Sequence, residues 1–412
     1  MNILILHRIP YHKINYHLSI DHDDHQVTYI GLAKNLANLP THIHYQTVEI
    51  AGMSNLAEEV LAAIHSENLS VDLVISLSET ELADAARVRE ALGLPGAGSS
   101  EIHQLRDKSL MRQLVAQQDI PVPRTIPLAR FIATKTVPWT GKTILKSLDQ
   151  ATKHNAIIFA SANEILAAIN QNKTGMARLD QSAPLVDLFA IEECISGETM
   201  HYDGLVRDGT ILIMQASQYV GNCLSYSQGQ PLGSVQVETS TDDIRWAQKV
   251  ITATGIRQGA FHLELVKSLS GRVFLEIANR AGGASVVETF RMATGINLIA
   301  AELTLLLGEE LNIKVRKKSK RFGWFVFPGH HLEQGTRQII GHAPYLDHAH
   351  MLRYEILGKS CPLPREITYQ PNFVPMSGII GGASGEAMCS WLKKMFRDVK
   401  IRTVSNGAPV KK

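Results

Sequence analysis

The stretch Gly259–Gly283 reads GAFHLELVKSLSGRVFLEIANRAGG, and it decides how the chain folds. Two runs rich in apolar residues, Ala260–Lys267 and Arg272–Ile277, flank the tetrapeptide SLSG. Strand-forming runs on both sides of a short glycine-containing turn predict a β-hairpin. Counting across the turn can place Glu264 and Glu276 on the same face of this hairpin, a few ångströms apart.

The two carboxylates predict a site for a divalent cation. Two like charges this close destabilise a fold unless a cation lies between them. Mg²⁺ suits the arrangement because it takes carboxylate oxygens together with water and nucleotide phosphates. Asn279, Arg280 and the pair Gly282–Gly283 follow the second strand, and they supply the amide, guanidinium and flexible backbone that a phosphate site requires. The alternative is a pair of exposed strand carboxylates that bind nothing.

Two lysines precede the hairpin. Lys146 ends the apolar strand TILKS (Thr143–Ser147), and Lys108 lies on a helix predicted over Ile102–Gln118. Either lysine alone is explained by a side chain that reaches past apolar neighbours to water. Two lysines followed by a double-carboxylate hairpin form a rarer combination, which favours phosphate binding.

Strands and helices alternate over roughly the first 95 residues, which predicts an open parallel sheet. The predicted strands are Ile3–Leu6, Val27–Gly31, His42–Val48 and Val71–Leu77. Glu79 follows the last of these strands, at the carboxyl end of the sheet, where open sheets bind ligands. It either binds the amino group of a substrate or stabilises the N-terminus of the helix that begins nearby. His262 shares the face of Glu264 and either contacts substrate or is a hydrogen-bonded structural histidine.

The rest of the chain predicts mixed α+β structure. Residues 216–240 are polar and contain glycine, so we expect a mobile loop that could cover an active site. The basic run Lys314–Arg321 is interpreted as a solvated linker rather than a nucleic-acid site. A small α+β unit follows, with strands around Trp324–Phe327, Leu352–Ile356 and Ser377–Ile380 and a helix at Glu386–Phe396.

Composition excludes several classes of protein. The 412 residues carry 41 Lys+Arg against 39 Asp+Glu, and this formal charge of +2 argues against a protein that coats nucleic acid. The four cysteines form no CxxC motif, so neither a zinc knuckle nor a disulfide framework is indicated. The first residues do not form a signal-peptide core, and no long apolar run predicts a membrane span. We therefore expect a cytoplasmic protein without a membrane or nucleic-acid partner.

Taken in order, these motifs resemble the ATP-grasp superfamily, and especially the L-amino-acid ligases among its carboxylate–amine ligases. The resemblance covers about residues 1–310. It rests on the N-terminal sheet, on Asp107–Lys108 with Ile120–Pro123, on Lys146, on the hinge-like EECISGE (Glu192–Glu198), and on HLEL…EIANR. It implies three parts: an N-terminal parallel α/β domain over 1–97, a two-lobed nucleotide-binding region over 98–312 with a lid at about 142–198, and a C-terminal α+β subdomain over 313–412.

The resemblance also implies roles for individual residues. Lys108 and Lys146 would contact the ATP phosphates, and Glu264 and Glu276, with Asn279, would bind Mg²⁺ or Mn²⁺. Arg280 would hold the transferred phosphate or the acyl phosphate, and its guanidinium also suits a substrate carboxylate. The backbone of Glu193 and Ile195 would form hydrogen bonds with the adenine base, and the side chain of Glu192 would bind its amino group. Glu198 would hold the ribose hydroxyls.

The sequence departs from the family pattern at three places. One is the stretch Glu192–Glu198, which is one residue shorter before its last glutamate than in some relatives. The segment Lys146–Ile158 has no glycine, whereas the phosphate-covering loop of these enzymes is usually glycine-rich, so Thr152 and backbone amides would take over. Ala278 stands where an asparagine is usual, and Asn279 comes one residue later. Neighbouring strand residues face opposite sides of a sheet, so the alternative to metal binding is that Asn279 points away from the metal.

The predicted function is an ATP-dependent ligase that forms an amide, dipeptide-like bond between a carboxylate and an amine through an acyl phosphate. A homodimer is compatible with this expectation. The alternatives are an ATP-grasp carboxylase or nucleotide-precursor ligase, and a nucleotide-binding protein without turnover.

Overall fold

The computed structural model describes residues 1–52, 55–148, 156–313 and 320–404. Most of the predicted glycine-free segment, including Thr152, lies outside the described residues, as does most of the predicted basic linker. None of the helices in the described ranges has both the length and the hydropathy needed to cross a bilayer.

The N-terminal part is a four-stranded parallel sheet, as the alternation of strands and helices predicted. Its strands lie in the order β3-β2-β1-β4, with β1 Asn2–Leu6, β2 Gln26–Gly31, β3 Gln46–Glu49 and β4 Leu73–Ile75. Its helices are α1 Tyr11–Ile14, α2 Ala33–Leu36, α3 Leu56–Ser66 and α4 Leu82–Leu92. Gly93 ends α4 in the left-handed conformation, which glycine adopts without steric cost.

The single helix predicted over Ile102–Gln118 is wrong, because the chain forms two helices, α5 Ser99–Arg106 and α6 Lys108–Ala116. Asp107 separates them with an extended backbone, and its carboxylate accepts hydrogen bonds from the amides of Ser109 and Leu110. Such an aspartate caps the start of a new helix. Lys108 therefore stands in the first turn of α6, at a defined helix end.

A second, antiparallel sheet forms a separate lobe. Its strands lie in the order β5-β8-β6-β7, with β5 Thr125–Pro127, β6 Thr143–Ser147, β7 Ala156–Phe159 and β8 Phe189–Glu193. Helices α7 Leu128–Thr134 and α8 Ala162–Asn170 belong to it, and they share one apolar cluster with its strands.

The largest sheet has eight strands in the order β13-β12-β9-β10-β11-β14-β17-β16. Their bounds are β9 Glu198–Arg207, β10 Thr210–Val220, β11 Leu232–Gln236, β12 Gly259–Ser268, β13 Gly271–Ala278, β14 Arg321–Phe327, β16 Met351–Ile356 and β17 Met376–Gly382. A two-stranded sheet, β15 Thr336–Ile340 with β18 Lys400–Val404, lies apart from it. The remaining helices are α9 Cys223–Ser227, α10 Thr241–Thr254, α11 Val286–Thr294, α12 Leu298–Leu306, α13 Ala343–Leu346 and α14 Gly385–Asp398.

The mobile loop predicted over residues 216–240 is also wrong. Strand β10 continues to Val220, α9 follows, and β11 is buried along its whole length in the centre of the large sheet. The segment looked like a loop because Ser234 and Gln236 are polar, yet both are buried and hydrogen-bonded. Polar residues enter a central strand when the face they occupy is itself a hydrogen-bonded network.

Candidate active site

The strand register brings the two predicted carboxylates together. Glu276 on β13 pairs directly with Glu264 on β12, and Glu264 pairs in turn with His201 on β9. Directly paired strand residues project from the same face of a sheet. A row of titratable side chains therefore crosses three neighbouring strands.

The first residue of α6 meets this row. The Lys108 ammonium forms an ion pair with Glu276. The negative charge of Glu276 raises the pKa of Lys108 above its ordinary value, and Glu264 adds to this effect. The structure thus places the Lys108 ammonium in contact with Glu276 and within electrostatic reach of Glu264.

The donor set fits a divalent cation. The Tyr219 hydroxyl donates to Oε1 of Glu264 over 2.8 Å, and Nε2 of His262 lies 3.4 Å from the same oxygen. Among the residues that the structure describes, none hydrogen-bonds to Oε2 of Glu264. Oxygen atoms of two adjacent carboxylates are the ligands that Mg²⁺ prefers.

A second buried ion cluster lies in the neighbouring lobe. The carboxylate of Glu192 contacts the Arg112 guanidinium and the Lys146 ammonium, and it accepts a hydrogen bond from the Thr125 hydroxyl over 3.2 Å. Burial alone would raise the pKa of Glu192, but the two cations lower it below its ordinary value. Burial lowers the pKa of Lys146, and Glu192 offsets only part of this shift. Lys108 acts on Lys146 electrostatically, which links the two clusters.

The other residues of the hinge-like segment have different surroundings. Glu193 forms a two-pronged ion pair with Arg124, both contacts being 2.7 Å, and its backbone N–H donates to the Arg124 carbonyl over 2.9 Å. Ile195 follows the end of β8 and is half-buried. Glu198 begins β9 and is exposed.

Arg280 and Glu79, predicted separately as substrate-binding residues, form an ion pair with a Nε–Oε2 distance of 2.6 Å. This contact joins the loop after β4 to the end of the hairpin. Asn279 has a different environment, because its amide donates to the backbone carbonyls of Gln258 and Ala260. The metal role that the resemblance implied for Asn279 is therefore not supported, because backbone carbonyls hold its amide.

His262 belongs to a chain of hydrogen bonds that runs along the same face of the sheet as Glu264. Its Nδ1 lies 2.7 Å from Oδ1 of Asp203, and Oδ2 of Asp203 lies 2.6 Å from Nδ1 of His201. Nε2 of His201 lies 2.6 Å from the Ser234 hydroxyl. Burial alone would raise the pKa of Asp203, but the two histidines lower it; Asp203 and Glu264 in turn raise the pKa of His262 to about 10 despite burial.

His201, Asp203 and His262 also have the atom types of a transition-metal site, with ligand atoms within 4.8 Å of one another. Each of these atoms, however, already has a hydrogen-bond partner at short distance. We therefore interpret the group as a hydrogen-bond network that supports Glu264.

Sequence reasoning missed several members of this site. Arg112 lies one helical turn after Lys108, a spacing that places both on one face of α6. His201 and Asp203 stand two positions apart within β9 (Met200–Gly204 reads MHYDG), just as His262 and Glu264 do in β12. Two neighbouring strands with polar residues at every second position were the available signal.

The backbone of Gly282 packs closely against the network of His201, Asp203 and His262. A Cβ at Gly282 would lie 2.6 Å from Oδ1 of Asp203 and 2.8 Å from Nδ1 of His262, whereas a Cβ at Gly283 would meet nothing within 4 Å. We expect Gly282→Ala to lower the free energy of unfolding by about 1–3 kcal/mol, as overpacking does. Urea denaturation measures this, with Gly283→Ala as the matched control. Equal stability of the two variants would contradict the packing described here.

Comparison by sequence finds distant relatives. An L-arginine-specific L-amino acid ligase of Bacillus subtilis is 23% identical over 266 residues, which are 62% of this chain and 63% of that protein. An uncharacterised protein of Sinorhizobium fredii is 22% identical over 287 residues, which are 67% of this chain and 58% of that protein. These matches span less than two thirds of the length of the curated relatives. No protein-family model matches the chain.

Comparison by structure covers almost the whole chain. The L-amino acid ligase from Bacillus licheniformis superposes with a TM-score of 0.69 at 16% identity, over 98% of both chains. Phosphoribosylglycinamide synthetase from Anaerococcus prevotii gives 0.63 at 14% identity, over 98% of this chain and 99% of that one. N5-carboxyaminoimidazole synthetase from Staphylococcus aureus, solved with ADP, gives 0.64 at 11% identity, over 96% of both. The fold is that of the ATP-grasp carboxylate–amine ligases, which confirms the prediction from sequence.

Proposed function

We propose that this chain, which has the ATP-grasp fold, is an ATP-dependent ligase that joins an amino acid or similar carboxylate to an amine. The observation that carries the proposal is the pairing of Glu264 with Glu276, which contacts Lys108, together with the Lys146–Glu192 ion pair. Paired acids and lysines from two lobes are what ATP and its metal ion require. The sequence match to an L-amino acid ligase supports the same chemistry.

The chemistry follows from the low reactivity of a carboxylate, whose leaving group would be oxide. In the first step a carboxylate oxygen attacks the γ-phosphorus of ATP, ADP leaves, and an acyl phosphate forms. In the second step the amine nitrogen attacks the acyl carbon, inorganic phosphate leaves, and the nitrogen loses a proton. The product is an amide, and the acyl phosphate must be shielded from water between the steps.

The residues divide this work among them. Lys108 and Lys146 would neutralise the phosphates of ATP, and Arg280 would hold the acyl phosphate and the oxyanion of the second step. Glu264 and Glu276 would hold Mg²⁺ or Mn²⁺, which when bound supplies charge neutralisation at the transferred phosphoryl group. Asn279 is not proposed as a ligand, because its amide binds backbone carbonyls.

The nucleotide base and sugar would be bound by the hinge-like segment. Backbone groups of Glu193 and Ile195 would contact adenine, and Glu198 would hold the ribose hydroxyls. The carboxylate of Glu192 contacts Arg112 and Lys146, so capping the adenine amino group would require the exchange of one of these contacts.

Substrate recognition would involve the ion pair of Glu79 and Arg280. Opening this pair would provide a carboxylate for the ammonium group of an amino acid and a guanidinium for its carboxylate. His262 is not placed for direct substrate contact, because both of its ring nitrogens face acids. Arginine belongs among the first amino acids to be tested, given the specificity of the Bacillus subtilis relative.

The test is a screen of purified protein with ATP, Mg²⁺ and pairs of amino acids. We expect ADP and phosphate in equal amounts with at least one pair, together with a product whose mass equals the two amino acids minus water. A folded protein that binds ATP but releases no ADP with any pair would refute the ligase proposal.

A second candidate retains the fold and changes the substrate. N5-carboxyaminoimidazole synthetase and a biotin carboxylase domain are among the structural neighbours, so a carboxylase or nucleotide-precursor ligase is the next activity to test. ADP release that depends on bicarbonate would favour this candidate. ATP binding without ADP release under every condition would instead indicate a nucleotide-binding protein without turnover.

A further inference from the structure

We infer that Asp203 is a positioning residue that orients Glu264 for metal binding through the intervening His262. The inference rests on the proposed function, because it assumes that Glu264 holds the divalent cation. It assigns a role to a residue that is not one of the two proposed metal ligands.

The first step is the orientation of the His262 ring. Asp203 lies 2.7 Å from Nδ1, and this contact turns Nε2 toward Oε1 of Glu264, 3.4 Å away. A partner on one ring nitrogen determines what the other nitrogen presents, and carboxylate–histidine pairs behind metal ligands act in this way. Among the residues that the structure describes, Asp203 alone is hydrogen-bonded to Nδ1 of His262.

The second step is the rigidity of Asp203 itself. Its other oxygen lies 2.6 Å from Nδ1 of His201, which is anchored at Nε2 by the Ser234 hydroxyl. Asp203 is 2% exposed, and the backbone of Gly282 lies so close that even a methyl group there would overlap its Oδ1. The carboxylate is therefore held on both sides and cannot change its rotamer without disturbing its neighbours.

The third step is the asymmetry of Glu264. Oε1 takes both the Tyr219 hydroxyl and the His262 contact, while within the described part of the chain Oε2 has no hydrogen-bond partner. Holding one carboxylate oxygen aims the other, and a ligand held in advance loses less conformational freedom when the cation binds. The network from Ser234 to Glu264 thus presents one defined oxygen beside Glu276.

Asp203→Asn tests the inference through Mn²⁺ affinity. Free Mn²⁺ is measured by electron paramagnetic resonance during titration of the full chain in the presence of ATP, and folding is checked by circular dichroism. We expect Mn²⁺ binding about 10- to 100-fold weaker than in the wild type, the range found for partners behind metal ligands. Mn²⁺ affinity within about twofold of the wild type, in a folded variant, would overturn the inference.

Asp243→Asn is the matched control. Asp243 is also a buried carboxylate. It accepts hydrogen bonds from the Tyr202 hydroxyl and from the Arg272 guanidinium, and among the described contacts none joins it to Glu264 or Glu276. It should lose stability while retaining Mn²⁺ affinity, so weakened Mn²⁺ binding in this control would show a general structural effect and overturn the inference. If Asp203→Asn does not fold, His262→Gln decides the question by the same criterion.

This experiment is independent of turnover. A wild-type protein that binds Mn²⁺ with ATP but forms no ADP would refute the proposed ligase activity and leave the Mn²⁺ comparison valid. A wild-type protein that binds no Mn²⁺ in the presence of ATP would overturn the inference itself.

Discussion

Replacing Glu276 with alanine should reduce turnover by roughly a hundred- to a thousandfold, because it removes one of the two proposed metal ligands and the ion-pair partner of Lys108. The Glu276 side chain is 38% exposed, so its truncation leaves no core cavity and should change the free energy of unfolding little. Steady-state ADP release at saturating ATP and Mg²⁺ measures the first effect, and urea denaturation measures the second.

Glu355→Ala is the control for this prediction. Glu355 is an exposed glutamate on β16, at the opposite edge of the same sheet from β13. Its truncation should leave both turnover and stability near wild-type values. A Glu276→Ala variant with full activity would show that the hairpin does not hold the metal, and the catalytic assignment would have to move elsewhere.

Glu192→Ala should destabilise the protein by about 3–5 kcal/mol, the cost of breaking a buried ion pair by removing one partner. The Glu192 side chain is 7% exposed and holds both Arg112 and Lys146, so its loss leaves two buried cations beside each other without an anion. The measurement is the free energy of unfolding from urea denaturation, monitored by circular dichroism.

The adjacent residue provides the comparison. Glu193 is also a glutamate on β8 paired with an arginine, but that pair is at the surface, where Arg124 is 49% exposed. Exposed ion pairs contribute only ~0–1 kcal/mol, so Glu193→Ala should change stability by no more than that. Similar losses in the two variants would mean that the Glu192 cluster is more hydrated than its burial indicates.

The predictions from sequence succeeded where a local pattern sufficed. The hairpin β12–β13 was predicted because its strand residues and its turn lie within a few positions of each other. Strands β1 and β2 were predicted because short runs rich in apolar residues mark buried strands.

The failures occurred where distant contacts decide the local structure. Residues 216–240 looked like a loop, because the partners of Ser234 and Gln236 come from β9 and α11, far away in sequence. Helix α11 (Val286–Thr294) was also not predicted. It packs beside β14, which comes about 30 residues later in the chain. The break at Asp107 was missed because an aspartate can either continue a helix or cap the next one.

The amino-acid sequence by itself determined the hairpin and the N-terminal parallel sheet, since these follow from residue periodicity and short-range turn geometry. A shift in strand register between Glu264 and Leu265, which regular counting across the turn does not supply, brings Glu264 opposite Glu276. Only the tertiary structure decided that Lys108 meets Glu276, that Arg280 pairs with Glu79, and that Asp203 lies behind His262. The physical reason is that each of these contacts joins elements about 59 to 201 residues apart in the chain. No local propensity encodes such contacts, because they form only when whole sheets and helices pack against each other.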